Sequence, residues 1–312
     1  MTNLFKAISL YRGLGEPERQ LIRQKRIAGE APPTQWLAMI DRLSAFDRAC
    51  DSARGWTIFL LVIGIIGAIG TGIAAGNEVL PGIVPLAVLA VTLLVIIPLL
   101  VFFKKQDLPN RLRNFVAQVI AILREDMKDG AILTLDIALG KPTDSKNLVR
   151  KEKVPREKLP PRKLSRTNSY YTHPWFNASG KFADGTAFAV ELTDHVVSAS
   201  IKQRGQRGKI KFKSKSKVAV AAQATVRPAA GLYEVADPNA GGPPPIPGEG
   251  AGPKIAVKAK ASGAAIRVRR QSPPQRELGA LEKPPVDLFL QTVGDAMRQL
   301  RPAHANASPD AP

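Results

Sequence analysis

The feature that most constrains this chain is an apolar stretch from Trp56 to Phe103 whose single charge is Glu78. It divides into two arms, WTIFLLVIGIIGAIGTGIAAG and IVPLAVLAVTLLVIIPLLVFF, on either side of a break at Asn77-Glu78-Val79-Leu80-Pro81-Gly82. About 20 residues at ~1.5 Å each match the ~30 Å of a hydrocarbon core. A helix of a soluble protein keeps a polar face, and neither arm has one. The expectation is a transmembrane helical hairpin over residues 56–103.

The charges beside the hairpin orient it. Arg42, Arg48 and Arg54 precede it, Lys104, Lys105, Arg111 and Arg113 follow it, and the connecting loop has neither Lys nor Arg. The positive-inside rule then puts both termini in the cytoplasm, at the plasma or inner membrane if the chain is bacterial. Trp56, Phe59, Phe102 and Phe103 suit the membrane interface. Gly64, Ala68, Gly72 and Gly76 recur every fourth residue and form a small-residue helix-packing face. Its partner is either the second arm, with Ala87 and Ala90, or a second copy of the chain. Neither arm holds an ionisable residue, which argues against an ion path through the hairpin.

Residues 1–55 read as a cytosolic helical region. One short helix runs through Leu4, Ile8 and Tyr11, and a second opens at Gly15-Glu16-Pro17 with Leu21, Ile22 and Ile27 as its apolar residues. After Ala31-Pro32-Pro33, a third starts at Thr34 and places Trp36, Met39, Ile40, Leu43, Phe46 and Cys50 on one face. Residues 104–130 read as a juxtamembrane amphipathic helix striped by Leu112, Phe115, Val116, Val119, Ile120, Leu123 and Met127.

Residues 131–282 read as a basic β-rich domain. Ala131–Leu139 alternates like a strand, and Asp184-Gly185 marks the tip of a hairpin. Val196–Lys202, Lys209–Val226, Lys254–Ala261 and Ala264–Arg270 are further strands. Strands this frequent predict a small, mainly antiparallel sandwich or barrel-like fold. Within the domain, residues 141–166 hold ten basic and three acidic side chains and read as an extended or disordered tether. Residues 236–253 read as a flexible Pro/Gly loop, 283–301 as a C-terminal amphipathic helix and 302–312 as a disordered tail.

The formal net charge is +19, and it is unevenly placed. Residues 1–55 have nine Lys/Arg against six Asp/Glu, whereas residues 104–312 have 36 against 19. A region that basic is suited to an anionic counterpart. Lys209, Lys211, Lys213, Lys215 and Lys217 occupy alternate positions. On a strand they share one side at ~6.6 Å spacing, with Ile210, Phe212 and Val218 on the other. Lys254, Lys258 and Lys260 repeat the arrangement, and Arg267 and Arg269, with Arg270, extend it. If those strands are neighbours in register, they make one cationic face, whose self-repulsion an anion would relieve. The same lysines would also discourage unwanted edge pairing. The anionic partner is an acidic lipid headgroup or an acidic protein. For nucleic acid, Tyr170, Tyr171, Trp175 and Phe176 would have to stack on bases.

Enzyme signatures are missing from the sequence: it has no G-x-x-x-x-G-K-[ST], no G-x-S-x-G and no H-E-x-x-H. One cysteine (Cys50) and three scattered histidines make neither an internal disulfide nor a zinc-type ligand set, and no cofactor is implied. Asp194 and His195 are neighbours, but successive strand residues point to opposite faces, so they make a poor dyad. The reading is a non-enzymatic integral membrane protein whose cytosolic β-domain binds an anionic surface or acidic partner as a tether or scaffold. The alternatives are a structural subunit of a larger membrane complex joined through Gly64–Gly76, and membrane-attached nucleic-acid binding.

Overall fold

The computed structural model describes residues 2–76, 83–205, 208–235, 254–260, 263–282 and 284–303. They form two compact units, residues 1–25 with 38–108 and residues 26–37 with 109–312.

The first unit is helical. α1 (Thr2–Gly13) and α2 (Glu16–Gln24) precede the strand β1 (Arg26–Ala31), which belongs to the second unit, and then come α3 (Pro33–Gly76) and α4 (Val84–Gln106). α2 ends earlier than the expected run to Ile27. Lys25 takes a left-handed conformation at φ 54° and its N–H closes on the Leu21 carbonyl. On α3, Met39, Ile40, Leu43, Phe46 and Cys50 are buried, as their spacing predicts. Tyr11 meets Phe46 at 5.7 Å between ring centroids, and Arg42 reaches the buried Glu18 at 2.6 Å. Lys25 Nζ donates to the Asp107 carbonyl at 2.8 Å, and the Leu108 N–H donates to Asp47 at 3.1 Å.

The amphipathic helix and the first apolar arm, expected as separate elements, are one continuous 44-residue helix. No Pro or helix-stopping motif separates them. Beyond Thr57 many large side chains stand open, for example Ile66 at 62%, Ile73 at 64%, Leu86 at 67% and Leu94 at 76% exposure, while Ile96 and Phe103 are buried. α3 and α4 are each long and apolar enough to cross a membrane, and their most apolar 18-residue windows are only 6% and 11% buried.

The second unit is built on one antiparallel sheet. A π-turn (Leu112–Val116) leads into α5 (Ala117–Asp126). The strands are β2 (Leu133–Ala138), β3 (Leu148–Lys153), β4 (Lys163–Lys181), β5 (Ala187–Arg204), β6 (Ile210–Arg227), β7 (Tyr233–Val235), β8 (Lys254–Lys260) and β9 (Gly263–Gln271). α6 (Val286–Met297) and β10 (Leu300–Pro302) end the described chain. The sheet order is β1-β2-β4-β5-β6-β9-β8 with β3 beside β4, while β7 and β10 pair separately. Among the described residues it is therefore neither a sandwich nor a barrel: it stays open, with β1 and β8 at its ends. In the middle of the sheet the inner rows are covered by helical segments instead of a second sheet. Phe115 lies 5.4 Å from Trp175, 5.6 Å from Phe176 and 6.3 Å from Phe289 of α6. Leu135, Ala178, Val190, Ala224 and Val268 form one paired row across five strands, and all are buried.

Two further expectations change. Arg26–Ala31, assigned to the helical region, is the strand β1, paired with β2 from Arg26↔Ala138 to Ala31↔Leu133. The segment 141–166 is not a loose tether, since it contains β3 and the start of β4. Its side chains bury little, but backbone pairing to β4 holds it, and the Arg150 guanidinium stacks 4.5 Å above Tyr170. The Pro/Gly segment 236–253 and residues 304–312 of the tail lie outside the described residues.

Candidate anion-binding face

β4, β5 and β6 have 19, 18 and 18 residues, several times the ~5–6 of an ordinary strand. On β5 burial follows one side as far as Val196 and then shifts to Ala199 and Ile201 on the other. β9 pairs with Ala221–Val226 of β6, and the segment 210–217 continues beyond it alongside β5. The β5–β6 register runs unbroken from Ala187↔Arg227 to Arg204↔Ile210, so side chains alternate strictly along the whole hairpin.

Lys211, Lys213, Lys215 and Lys217 accordingly stand on one side, all exposed, with Lys209 continuing the alternation before the strand. Their partners on that side are Gln203, Ile201, Ala199 and Val197. At ~6.6 Å between successive ammonium-bearing residues, repulsion is not relieved by any neighbouring acid on β5. The opposite side is less apolar-buried than the alternation suggests. Val218 is 2% exposed, but Ile210 is 52% and Phe212 is 74% exposed, with Lys202 Nζ 5.8 Å from the Phe212 ring centroid.

The other basic residues form a second group on the same face. Gln223 pairs with Arg269, which pairs with Lys254, and Thr225 pairs with Arg267. These rows lie six or more positions beyond Lys217, about 20 Å along the strand. Lys258 and Lys260, paired with Ala265 and Gly263, lie further still in the same direction. Lys254 therefore shares a face with Lys217 without standing beside it. Arg270 leaves that face: it pairs with Ala222 and reaches Asp295 of α6 at 2.6 Å.

Between the groups sits His195, in the row of Ala219, with Thr172 Oγ1 3.3 Å from its Nδ1. Burial, and then the Arg269 charge, lower its pKa below the usual imidazole value. On the far strands the face turns mixed, with Glu191 opposite Gln223 and Asp136 bridged to Arg26 at 2.7 Å. A trough of about 680 Å³ crosses that part, its floor including Thr134, Ser179, Ala189 and Thr225 between Glu30 and Arg227. Nothing in the local sequence pattern signals it, because its floor comes from four separate strands.

A second polar group lies on the inner side. Arg111 Nη1 donates to Asp194 at 2.9 Å, Nη2 donates to the Gly140 carbonyl at 3.0 Å, and the guanidinium lies 4.6 Å from the Trp175 ring centroid. His173 Nδ1 is 3.8 Å from the same Asp194 oxygen. Burial draws the Arg111 pKa down while Asp194 opposes it. Asp194 thus faces the core and His195 the outside, so the two do not act as a pair. A bulge between Pro174 and Phe176 buries Trp175 as well as Phe176, removing both from base stacking. Tyr170 is engaged by Arg150 and by Glu152. Among the described residues no group of three His, Cys, Asp or Glu could hold a metal ion.

On the helical unit, a methyl added to Gly64 would overlap Thr92 Cγ2 of α4, so this glycine is used within the hairpin. Ala68 is half-buried, whereas Gly72 and Gly76 meet no atom within 4 Å among the described residues.

Comparison with known proteins gives no match: no family model fits the chain, and no curated protein or solved structure is similar to it.

Proposed function

We propose that this chain is a non-enzymatic, membrane-anchored tether, in which α3 and α4 form a transmembrane hairpin and the sheet domain binds an anionic partner from the cytoplasmic side. The apolar surface of both helices is uncovered by protein, the condition expected of helices whose covering is lipid. Flanking Lys and Arg favour both termini in the cytoplasm. The observation that carries the binding role is the set Lys211, Lys213, Lys215 and Lys217, exposed on one side of a hairpin arm that runs on past the pairing with β9.

The test is cosedimentation of the full chain, held in neutral-lipid nanodiscs, with acidic vesicles, neutral vesicles and nucleic acid across a salt series. The expected result is salt-sensitive retention by an anion that falls steeply when Lys211, Lys213 and Lys215 are changed to Gln. At ~1 kcal/mol per cation near an anionic surface, three substitutions weaken binding by about 100-fold. Indifference to every anion would sink the proposal. A second reading, a subunit of a larger membrane complex, is favoured by the open positions Gly72 and Gly76. It predicts that Cys introduced at Gly72 crosslinks to a second chain in the native membrane.

A further inference from the structure

The β6 arm has an open edge as well as a charged face. Antiparallel strands direct the N–H and C=O of alternate residues to opposite edges. On β6 the even-numbered residues address the β9 side: Val218 exchanges hydrogen bonds with Gln275 at 2.9 and 2.8 Å, and the Ser272 N–H donates to the Val220 carbonyl at 2.8 Å. The odd-numbered residues address β5, as the bond from the Gly205 N–H to the Lys209 carbonyl shows at the far end. The backbone groups of Ile210, Phe212, Ser214 and Ser216 therefore point outward, where no strand pairs with them among the described residues.

We infer that this edge takes an extended acidic segment of another protein, added antiparallel to residues 210–217 as one more strand. The inference rests on the anion-binding reading of the lysines and specifies their partner. In an added antiparallel strand the odd positions of β6 form the non-hydrogen-bonded pairs, whose side chains approach most closely, with Cα atoms ~4.5 Å apart. Lys211, Lys213, Lys215 and Lys217 would each face one side chain of the newcomer. A strand carrying Asp or Glu at every second position neutralises all four while its backbone satisfies the open edge. A second copy of this strand would set Lys against Lys, and an apolar strand would leave the charges unpaired, so the edge rejects both. A flat lipid surface meets only one side of the arm and leaves the edge groups to water. Strand addition uses the edge and the charges together.

The experiment uses the full chain in neutral-lipid nanodiscs and three nine-residue peptides: one alternating Glu with Val or Thr, an isomer with its glutamates in one block, and the alternating peptide N-methylated on the residues that would pair. The alternating peptide should bind at least tenfold more tightly than its isomer, and N-methylation should abolish that preference. Ser214→Pro, which removes one outward N–H and no lysine, should lose the preference while retention by other polyanions is unchanged. Equal binding of all three peptides would overturn strand addition and leave the cationic-face reading standing. Retention by acidic vesicles without peptide binding would overturn it in favour of a lipid surface. Failure to bind any anion would remove the cationic-face reading as well. Should Ser214→Pro misfold, the N-methylated peptide still decides the question on the unaltered chain.

Discussion

Changing Asp194 to Ala tests how the sheet is joined to the helix that covers it. In the folded protein Asp194 is 1% and Arg111 3% exposed. Among the described residues the carboxylate is the only acidic side chain bonded to that guanidinium. Removing it leaves a cation enclosed against Trp175, bonded to the carbonyls of Ala138 and Gly140 and with the charge of Glu282 acting without a direct bond among the described residues. Breaking one side of a buried pair costs about 3–5 kcal/mol, most of it the stranded charge. For a unit of this size that corresponds to a drop of about 10 °C in Tm. The assay is thermal unfolding of the purified chain in detergent, followed by near-ultraviolet circular dichroism. The companion variant Arg111→Met with Asp194→Leu removes both charges, and it should recover most of the loss because apolar replacement of a buried pair is often neutral. A loss below about 1 kcal/mol for Asp194→Ala, or a double variant as unstable as the sum of both singles, would refute the argument.

Three other outcomes follow from single contacts. Gly64→Ala should loosen the hairpin by about 1–3 kcal/mol, because Thr92 is held in place by its bond to the Val88 carbonyl at 2.8 Å; Gly72→Ala, in open space, should be neutral when both are compared by denaturation in detergent. Cys50 is buried, and burial followed by the charges of Asp47, Asp51 and Asp107 pushes its thiol up to about 12. The thiolate is then scarce at pH 8, so a maleimide should label it only as fast as the chain unfolds, on whichever side of the membrane it lies. Cys50 is thus unsuited to reporting topology, and Asn77→Cys is the better reporter. For His195 the folded pKa is lowered, so above about 6.5 both states are neutral; as pH falls below that value the unfolded chain takes the proton first and stability declines. Arg269→Gln should raise the His195 pKa seen by NMR and flatten that decline.

Local patterns in the sequence carry the elements that bury one face or are apolar all round. The stripe Met39, Ile40, Leu43, Phe46 and Cys50, the Asp184-Gly185 hairpin and the alternation of Leu133, Leu135 and Ile137 all appear where their spacing puts them. Long-range pairing is a different matter. Arg26–Ala31 has no apolar alternation of its own and becomes a strand because β2, more than 100 residues later, offers it an edge. The basic segment around Leu148–Lys153 likewise orders through β4 and not through side chains it could bury. The alternating lysines show the same limit at the candidate site. Their common side follows from the period of a strand, but their distance from Lys254, Arg267 and Arg269 depends on where β9 stops along β6. No local pattern records that.

The point at which β9 stops also separates two roles within one strand. From Val218 onward β6 reads VAVAAQATV, small and β-branched, and its inner side is buried under helices. Before Val218 it reads KIKFKSKSK, and residues 210–215 are all exposed. Burial on β6 itself accounts for little of the first half, although Ala199 and Ile201, opposite Lys215 and Lys213, are buried on β5. Nor is edge protection a sufficient reason, since a shorter hairpin would have less edge to protect. The arm extends about 26 Å of backbone past Val218, whose bridge to Gln275 lies beyond the end of β9. Among the described residues no strand pairs with the outward backbone groups of Ile210, Phe212, Ser214 and Ser216, and a lysine follows each. An arm of this kind costs conformational order and electrostatic repulsion while contributing little apolar burial. On the function proposed above, the anionic partner offsets that cost.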